Sequence, residues 1–146
     1  VEPEIIEMLY AASQAGVMID LIVRGLCCLR PGVAGLSENI RVRSIIGRFL
    51  EHTRCYYFHN NGDMEVYCAS ADWMDRNFFR RIEVMFPILD PGIRQRLISD
   101  LDTYLDDNTQ AWALDGDGDY HRIRPDPGEP ANSAQTSLLN QLADRT

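Results

Sequence analysis

CYYFHNNGDMEVYCAS, residues 55–70, is the stretch on which the fold turns. Two β-prone, aromatic runs flank Asn61-Gly62, the strongest short-range hairpin signal a sequence carries. The spacing therefore predicts an antiparallel hairpin over 55–70. Immediately upstream, FLEHTR (49–54) brings His52 and Arg54 to the hairpin's entry. Residues two apart on an extended chain share a face, so these two side chains point the same way. Immediately downstream, Ala69-Ser70-Ala71-Asp72 closes the hairpin with small and polar residues before Trp73. A histidine that titrates near neutrality beside a permanent cation is suited to a phosphate, which it can attack or protonate while the cation neutralises the oxygens. The competing reading is a histidine satisfied by a backbone carbonyl.

Further out, IRVRSII (40–46) alternates apolar and charged residues and predicts a half-exposed strand with Arg41 and Arg43 on one face. VMIDLIVR (17–24) is β-branched and predicts a buried strand ending at Arg24-Gly25. The end of such a strand is where α/β sheets present ligand-binding groups. A surface arginine closing a strand is the alternative for Arg24. PEIIEMLYAASQA (3–15) has helical spacing, with Pro3 suited to a first turn and Gly16 to a cap. Residues 25–36 are a Gly- and Pro-punctuated loop, and GRFLEH (47–52) fits a helical turn or a strand continuation.

Toward the C-terminus, ADWMDRNFFRR (71–81) reads as a loop or short helix and IEVMFPI (82–88) as a strand. PGIRQRLISDLDTYLDD (91–107) opens with Pro91 and sets Ile93, Leu97, Ile98, Leu101 and Leu105 on one stripe, an amphipathic helix. QAWALDGDGDYHRI (110–123) predicts a second hairpin, residues 125–133 a linker, and residues 133–145 a terminal helix. The class that follows is mixed α/β, a mixed β-sheet flanked by helices. The 146 residues, 45% hydrophobic, make one domain with its core over about 1–124 and a linker and terminal helix over 125–146.

The net charge of −8 conceals an asymmetry. Residues 20–54 hold six arginines against three acids, and residues 100–129 nine acids against two arginines. All fourteen basic residues are arginine, the better fork for phosphate oxygens, although genome base composition would also produce this. The polyanion expected is a phosphate compound and not nucleic acid. No apolar run approaches the roughly 20 residues of a membrane span. Cys27, Cys28, Cys55 and Cys68 lack metal-type spacing and read as reduced thiols packed in a cytoplasmic protein. DGDGD (115–119) imitates the start of a calcium loop, but that loop needs glycine sixth and glutamate twelfth, where this chain has Tyr120 and Asp126. It reads as a hairpin turn, and no metal-ligand set is identified. His59 and His121 read as surface residues, and Trp73 as core.

An H-x-K histidine and lysine on one strand, with a small-residue segment ending the next, mark the phospholipase D superfamily. The chain resembles that arrangement, with Arg54 in place of the lysine and Ser70-Ala71-Asp72 in place of the serine and asparagine. More closely, IVRG (22–25), SENIRV (37–42), FLEH (49–52) and SADWM-x-RN (70–77), in that order, resemble the C-terminal domain of the bacterial polyphosphate kinase family, to about Arg124.

The resemblance implies a phospholipase D-like domain that forms part of a catalytic site, in a longer protein whose preceding domain carries the phosphorylated histidine. It implies ATP, ADP and inorganic polyphosphate as ligands and Mg²⁺ as cofactor, with a homo-oligomer in the cytoplasm or at the periphery of the inner membrane. On the family pattern Arg24 and catalytic His52 face the nucleotide phosphates. Arg41 and Arg43 would guide a polyanion, Ser37-Glu38-Asn39 would order their loop, and Asp72, Arg76 and Asn77, with Arg54, would brace His52. An acid–arginine–amide network that merely holds the turn accounts for Asp72, Arg76 and Asn77 equally well. The missing phosphorylated histidine predicts that this domain alone neither autophosphorylates nor elongates polyphosphate. The alternatives are a phospholipase D-type phosphodiesterase with His52 as nucleophile, and a docking or oligomerisation module.

Overall fold

The computed structural model describes residues 1–143. The first helix, α1 (Pro3–Gln14), starts where the Glu2 carboxylate accepts the Ile5 N–H at 2.9 Å, and stops at Gly16, whose φ of +90° a side chain would resist. Its Ile6, Leu9 and Tyr10 pack on the core cluster of Leu29, Ile40, Val42 and Leu114.

Strands β1 (Ile19–Ile22) and β2 (Ile40–Ile45) pair in parallel. β6 (Ala111–Leu114) pairs antiparallel with β2, and β7 (Tyr120–Arg122) with β6, giving the order β1-β2-β6-β7. β2 is interior and alternates as its pattern predicts, with Ile40 and Val42 buried and Arg41 exposed. β1, expected to be buried, is only half-buried, because it forms the sheet's edge. The 25–39 loop is ordered by Ser37, which is fully buried; its hydroxyl donates to the Arg30 carbonyl and accepts the Val33 N–H. Asn39 bonds through its backbone and side chain to Ser13, tying the loop to α1.

The expected hairpin forms from β3 (Cys55–Phe58) and β4 (Glu65–Ala69). It does not join the first sheet. With β5 (Met85–Pro87) it makes a separate antiparallel sheet in the order β3-β4-β5, so the α/β architecture holds two sheets where one was expected. The turn is longer than a two-residue link: residues 59–64 include Asn60, Asn61 and Gly62 at φ 43°, 52° and 97°. Asparagine tolerates this left-handed region best among residues with a side chain, hence Asn-Asn-Gly. Cys55 faces Cys68 across the pair, and burial together with Cys68 pushes its thiol up to about 12, so the Cys55 sulfur is a neutral packing group. Cys28 is instead exposed.

The short helix α2 is Asp75–Arg80, and α3 (Pro91–Leu105) begins where Asp90 accepts the Ile93 N–H at 2.8 Å. The α3 stripe is only half covered, and Ile93 remains 55% exposed. The DGDGD turn closes on itself: Asp115 accepts the N–H groups of Asp117 and Asp119 and contacts His121 at 2.6 Å, which holds its carboxyl down at about 2.

Residues 125–133 lie along the end of α3. Asn108 and Asn132 exchange backbone and side-chain hydrogen bonds, and Asn108 donates to the Pro130 carbonyl. Buried Asp107 accepts N–H groups of Thr109, Gln110 and Ala111 on one oxygen and that of Ala134 on the other. It therefore starts α4 (Ala134–Ala143) and fixes it to the core. The last expected helical positions, 144 and 145, lie outside the described residues.

Candidate phosphate-binding site

Three chain segments meet at one carboxylate. Arg24 follows β1, where the parallel strand stops and the chain turns away from β2. His52 and Arg54 end the irregular 46–54 segment, and the Ala69 N–H to Arg54 carbonyl bond extends the hairpin ladder to Arg54. Asp72 lies just past β4, on the opposite arm of the same hairpin.

Arg54 Nε donates to Asp72 Oδ1 at 2.9 Å, and Arg24 Nη2 stands 3.9 Å from the same oxygen. Arg54 Nη1 lies 3.0 Å from His52 Nδ1, and Arg24 Nη1 donates to the Glu51 carbonyl, next to His52, at 3.1 Å. The guanidinium of Arg24 and the imidazole of His52 thus meet in one cluster, from positions remote in sequence. The hydrogen bond from Arg54 holds the Asp72 carboxyl below its ordinary value against partial burial, and the charges of Arg54, Arg24 and Arg76 add to this. Asp72 in turn stabilises the Arg54 charge. His52 remains exposed to solvent. The result is a partly open cluster of one acid and two arginines with the imidazole at its edge, net positive and suited to anionic oxygens.

Other candidates take other places. Arg41 forks onto Asp20 at 2.7 and 2.9 Å, and half-buried Arg43 donates to the Leu105 carbonyl at the end of α3. Arg76 lies in the first turn of α2, exposed. Asn77 is buried and donates to Glu83 at 2.6 Å, while Ser70 donates to the other Glu83 oxygen; Asn77 Oδ1 has no hydrogen-bond partner. These bonds brace the α2–β5 turn and do not reach His52. Trp73 stacks on Tyr56, ring centroids 5.4 Å apart and planes 7° apart. Sequence reasoning missed Glu51 as a separate contributor, although it lies inside FLEH, because its partners are far away in the chain.

The cluster does not fit a magnesium ion. Its one carboxylate is engaged by two guanidiniums, and among the described residues no three His, Cys, Asp or Glu gather as ligands.

The family model described as "Polyphosphate kinase C-terminal domain 2" matches residues 1–135. The chain belongs to this polyphosphate kinase family. Polyphosphate kinase of Xylella fastidiosa (strain Temecula1) is 59% identical over 142 residues, covering 97% of this chain and 20% of that protein. Polyphosphate kinase of Neisseria meningitidis serogroup B is 60% identical over 143 residues, covering 97% and 21%. The crystal structure of polyphosphate kinase from Porphyromonas gingivalis superposes with a TM-score of 0.93 at 42% identity, over 99% of this chain and 22% of that one.

The chain spans about a fifth of the length of these polyphosphate kinases. It matches the C-terminal domain of this family and has the phospholipase D-like α/β fold that the motifs predicted. The likeness to the polyphosphate kinase family also runs past Arg124, where the motifs left it, into α4.

Proposed function

We propose that the whole polypeptide transfers the γ-phosphate of ATP reversibly to a growing polyphosphate chain, through a phosphohistidine in a preceding domain, and that this domain grips the nucleotide phosphates with Arg24 and His52. The observation that carries the reading is the meeting of Arg24, Arg54 and His52 around Asp72 and the Glu51 carbonyl. Arg24 supplies a fixed positive charge. Arg54 can only donate, so Nδ1 of neutral His52 accepts and its proton sits on Nε2. That N–H is free to donate a hydrogen bond to a phosphate oxygen and to stabilise the charge that develops there during transfer.

The same tautomer disfavours the phosphodiesterase alternative. Attack through Nε2 needs its lone pair and hence a proton on Nδ1, which would confront the Arg54 N–H at 3.0 Å. Mg²⁺ enters with the nucleotide and not on ligands of this domain. The parent works in the cytoplasm, at the inner-membrane periphery in part, as a homo-oligomer; no helix of the described residues is long and apolar enough to cross a membrane.

The test is steady-state synthesis of polyphosphate by full-length His52→Ala. Turnover is expected to fall roughly 10²-fold or more, the usual worth of a positioned hydrogen-bond donor to developing negative charge, with the melting temperature nearly unchanged because the side chain is exposed. Wild-type turnover would reject the assignment. Nucleotide affinity that is indifferent to salt would favour a docking module instead.

A further inference from the structure

Glu51, one residue before His52, is held at three atoms. Its carbonyl accepts from Arg24, its Oε2 accepts the Tyr104 hydroxyl of α3 at 2.7 Å, and its Oε1 accepts Gln135 Nε2 of α4 at 2.7 Å. Gln135, only 6% exposed, also closes a ring on Phe49: Nε2 donates to the Phe49 carbonyl at 2.7 Å, and Oε1 accepts the Phe49 N–H at 3.0 Å. A side-chain amide makes here the two bonds that a neighbouring strand would otherwise make, on a segment that belongs to no sheet.

Gln135 is itself immobilised. Ala134 beside it is fully buried, with its N–H on Asp107. A Cβ on Gly47 would stand 2.4 Å from Gln135 Oε1 and 2.6 Å from Gln110 Oε1, so glycine is what lets the amide approach. Both Nε2 hydrogens and the Oε1 acceptor are engaged on residues 49–51, immediately before the imidazole.

We infer that Gln135, acting with Tyr104 through Glu51, is a positioning residue that sets His52 against Arg24 for phosphate transfer. The inference rests on the role given to His52 above. A shift of about 1 Å in a reacting group costs up to roughly 10²-fold in rate, and that is the scale at stake.

The test uses the full-length enzyme. Gln135→Glu keeps size and the acceptor for Phe49 N–H, but sets a carboxylate against Glu51 and the Phe49 carbonyl. Its turnover is expected to fall between about 10- and 10²-fold. Adding Glu51→Gln reverses the pair and should recover part of the loss, since the new amide at position 51 can then donate to the new carboxylate at position 135 while the repulsion on the Phe49 carbonyl remains. In a His52→Ala background, Gln135→Glu should cost nothing further, whereas a purely structural role would multiply the two losses. Gln135→Met, similar in length and unable to make the bonds, gives the same comparison where Gln135→Glu folds poorly. Wild-type turnover in both Gln135 variants, or losses that multiply, would overturn the inference while leaving His52 in place. Full turnover by His52→Ala alone would remove the reading beneath it, and the inference with it.

Discussion

Arg54 holds His52 at two points: its Nη1 lies 3.0 Å from the ring nitrogen Nδ1 and 3.0 Å from the His52 carbonyl oxygen. Its Nε meanwhile binds Asp72, so one planar guanidinium sets the ring, the backbone and the acid together. A point charge cannot do this.

Arg54→Lys should therefore lower turnover of the full-length enzyme by about tenfold or more while costing about 1–2 kcal/mol of stability, the scale of a charge-assisted hydrogen bond. Kinetics and chemical denaturation measure the two. Wild-type turnover in the lysine variant would show that charge alone suffices at position 54.

The site also sets an acid limit. The Arg54 hydrogen bond, helped by nearby arginines, depresses the folded-state value of Asp72 below its ordinary 3.8. A depressed carboxyl contributes stability above its unfolded-state value, and that contribution is lost as pH falls through the folded-state value. Asp72→Asn should be less stable than wild type near neutrality, and the difference should shrink below pH 3.8. A difference that stays constant through acid denaturation would contradict the pairing.

Asp107→Ala removes the acceptor for four N–H groups at once. Leaving buried donors unpaired costs about 1–3 kcal/mol each before relaxation, so a loss of about 3 kcal/mol or more is expected in denaturant titration. A loss below about 1 kcal/mol would mean that α4 is held chiefly by apolar packing.

Local pattern carried much of this fold. The Asn-Gly signal located the 55–70 hairpin, Pro91 began α3, and the β-branched run before Arg24-Gly25 gave β1, which stops at Ile22, two residues short of Arg24. The division into two sheets was not legible, because strand periodicity gives faces and not partners. The α3 stripe marked a packing surface without saying what covers it, and Ile93 is open. Arg24, His52 and Asp72 could be named from motifs, yet Glu51's hold on Tyr104 and Gln135 spans 53 and 84 residues, beyond any local signal. Arg41 and Arg43 looked free in the sequence because Asp20 and the Leu105 carbonyl reach them only through the fold.

The isolated chain should incorporate no label from γ-labelled ATP. Its three histidines are His52, His59 and His121: Arg54 occupies Nδ1 of the first, the second lies exposed at the hairpin turn, and the third contacts Asp115. Acid-labile phosphate recovered on any of them would contradict the assignment of the phosphohistidine to another domain.

The most direct measurement is the structure of the full-length enzyme with a non-hydrolysable ATP analogue. The account predicts phosphate oxygens within hydrogen-bond distance of both the Arg24 guanidinium and His52 Nε2, with Gln135 still closed on Phe49 and Glu51. Phosphates bound away from both groups, with Arg24 still on the Glu51 carbonyl and His52 facing solvent, would contradict it.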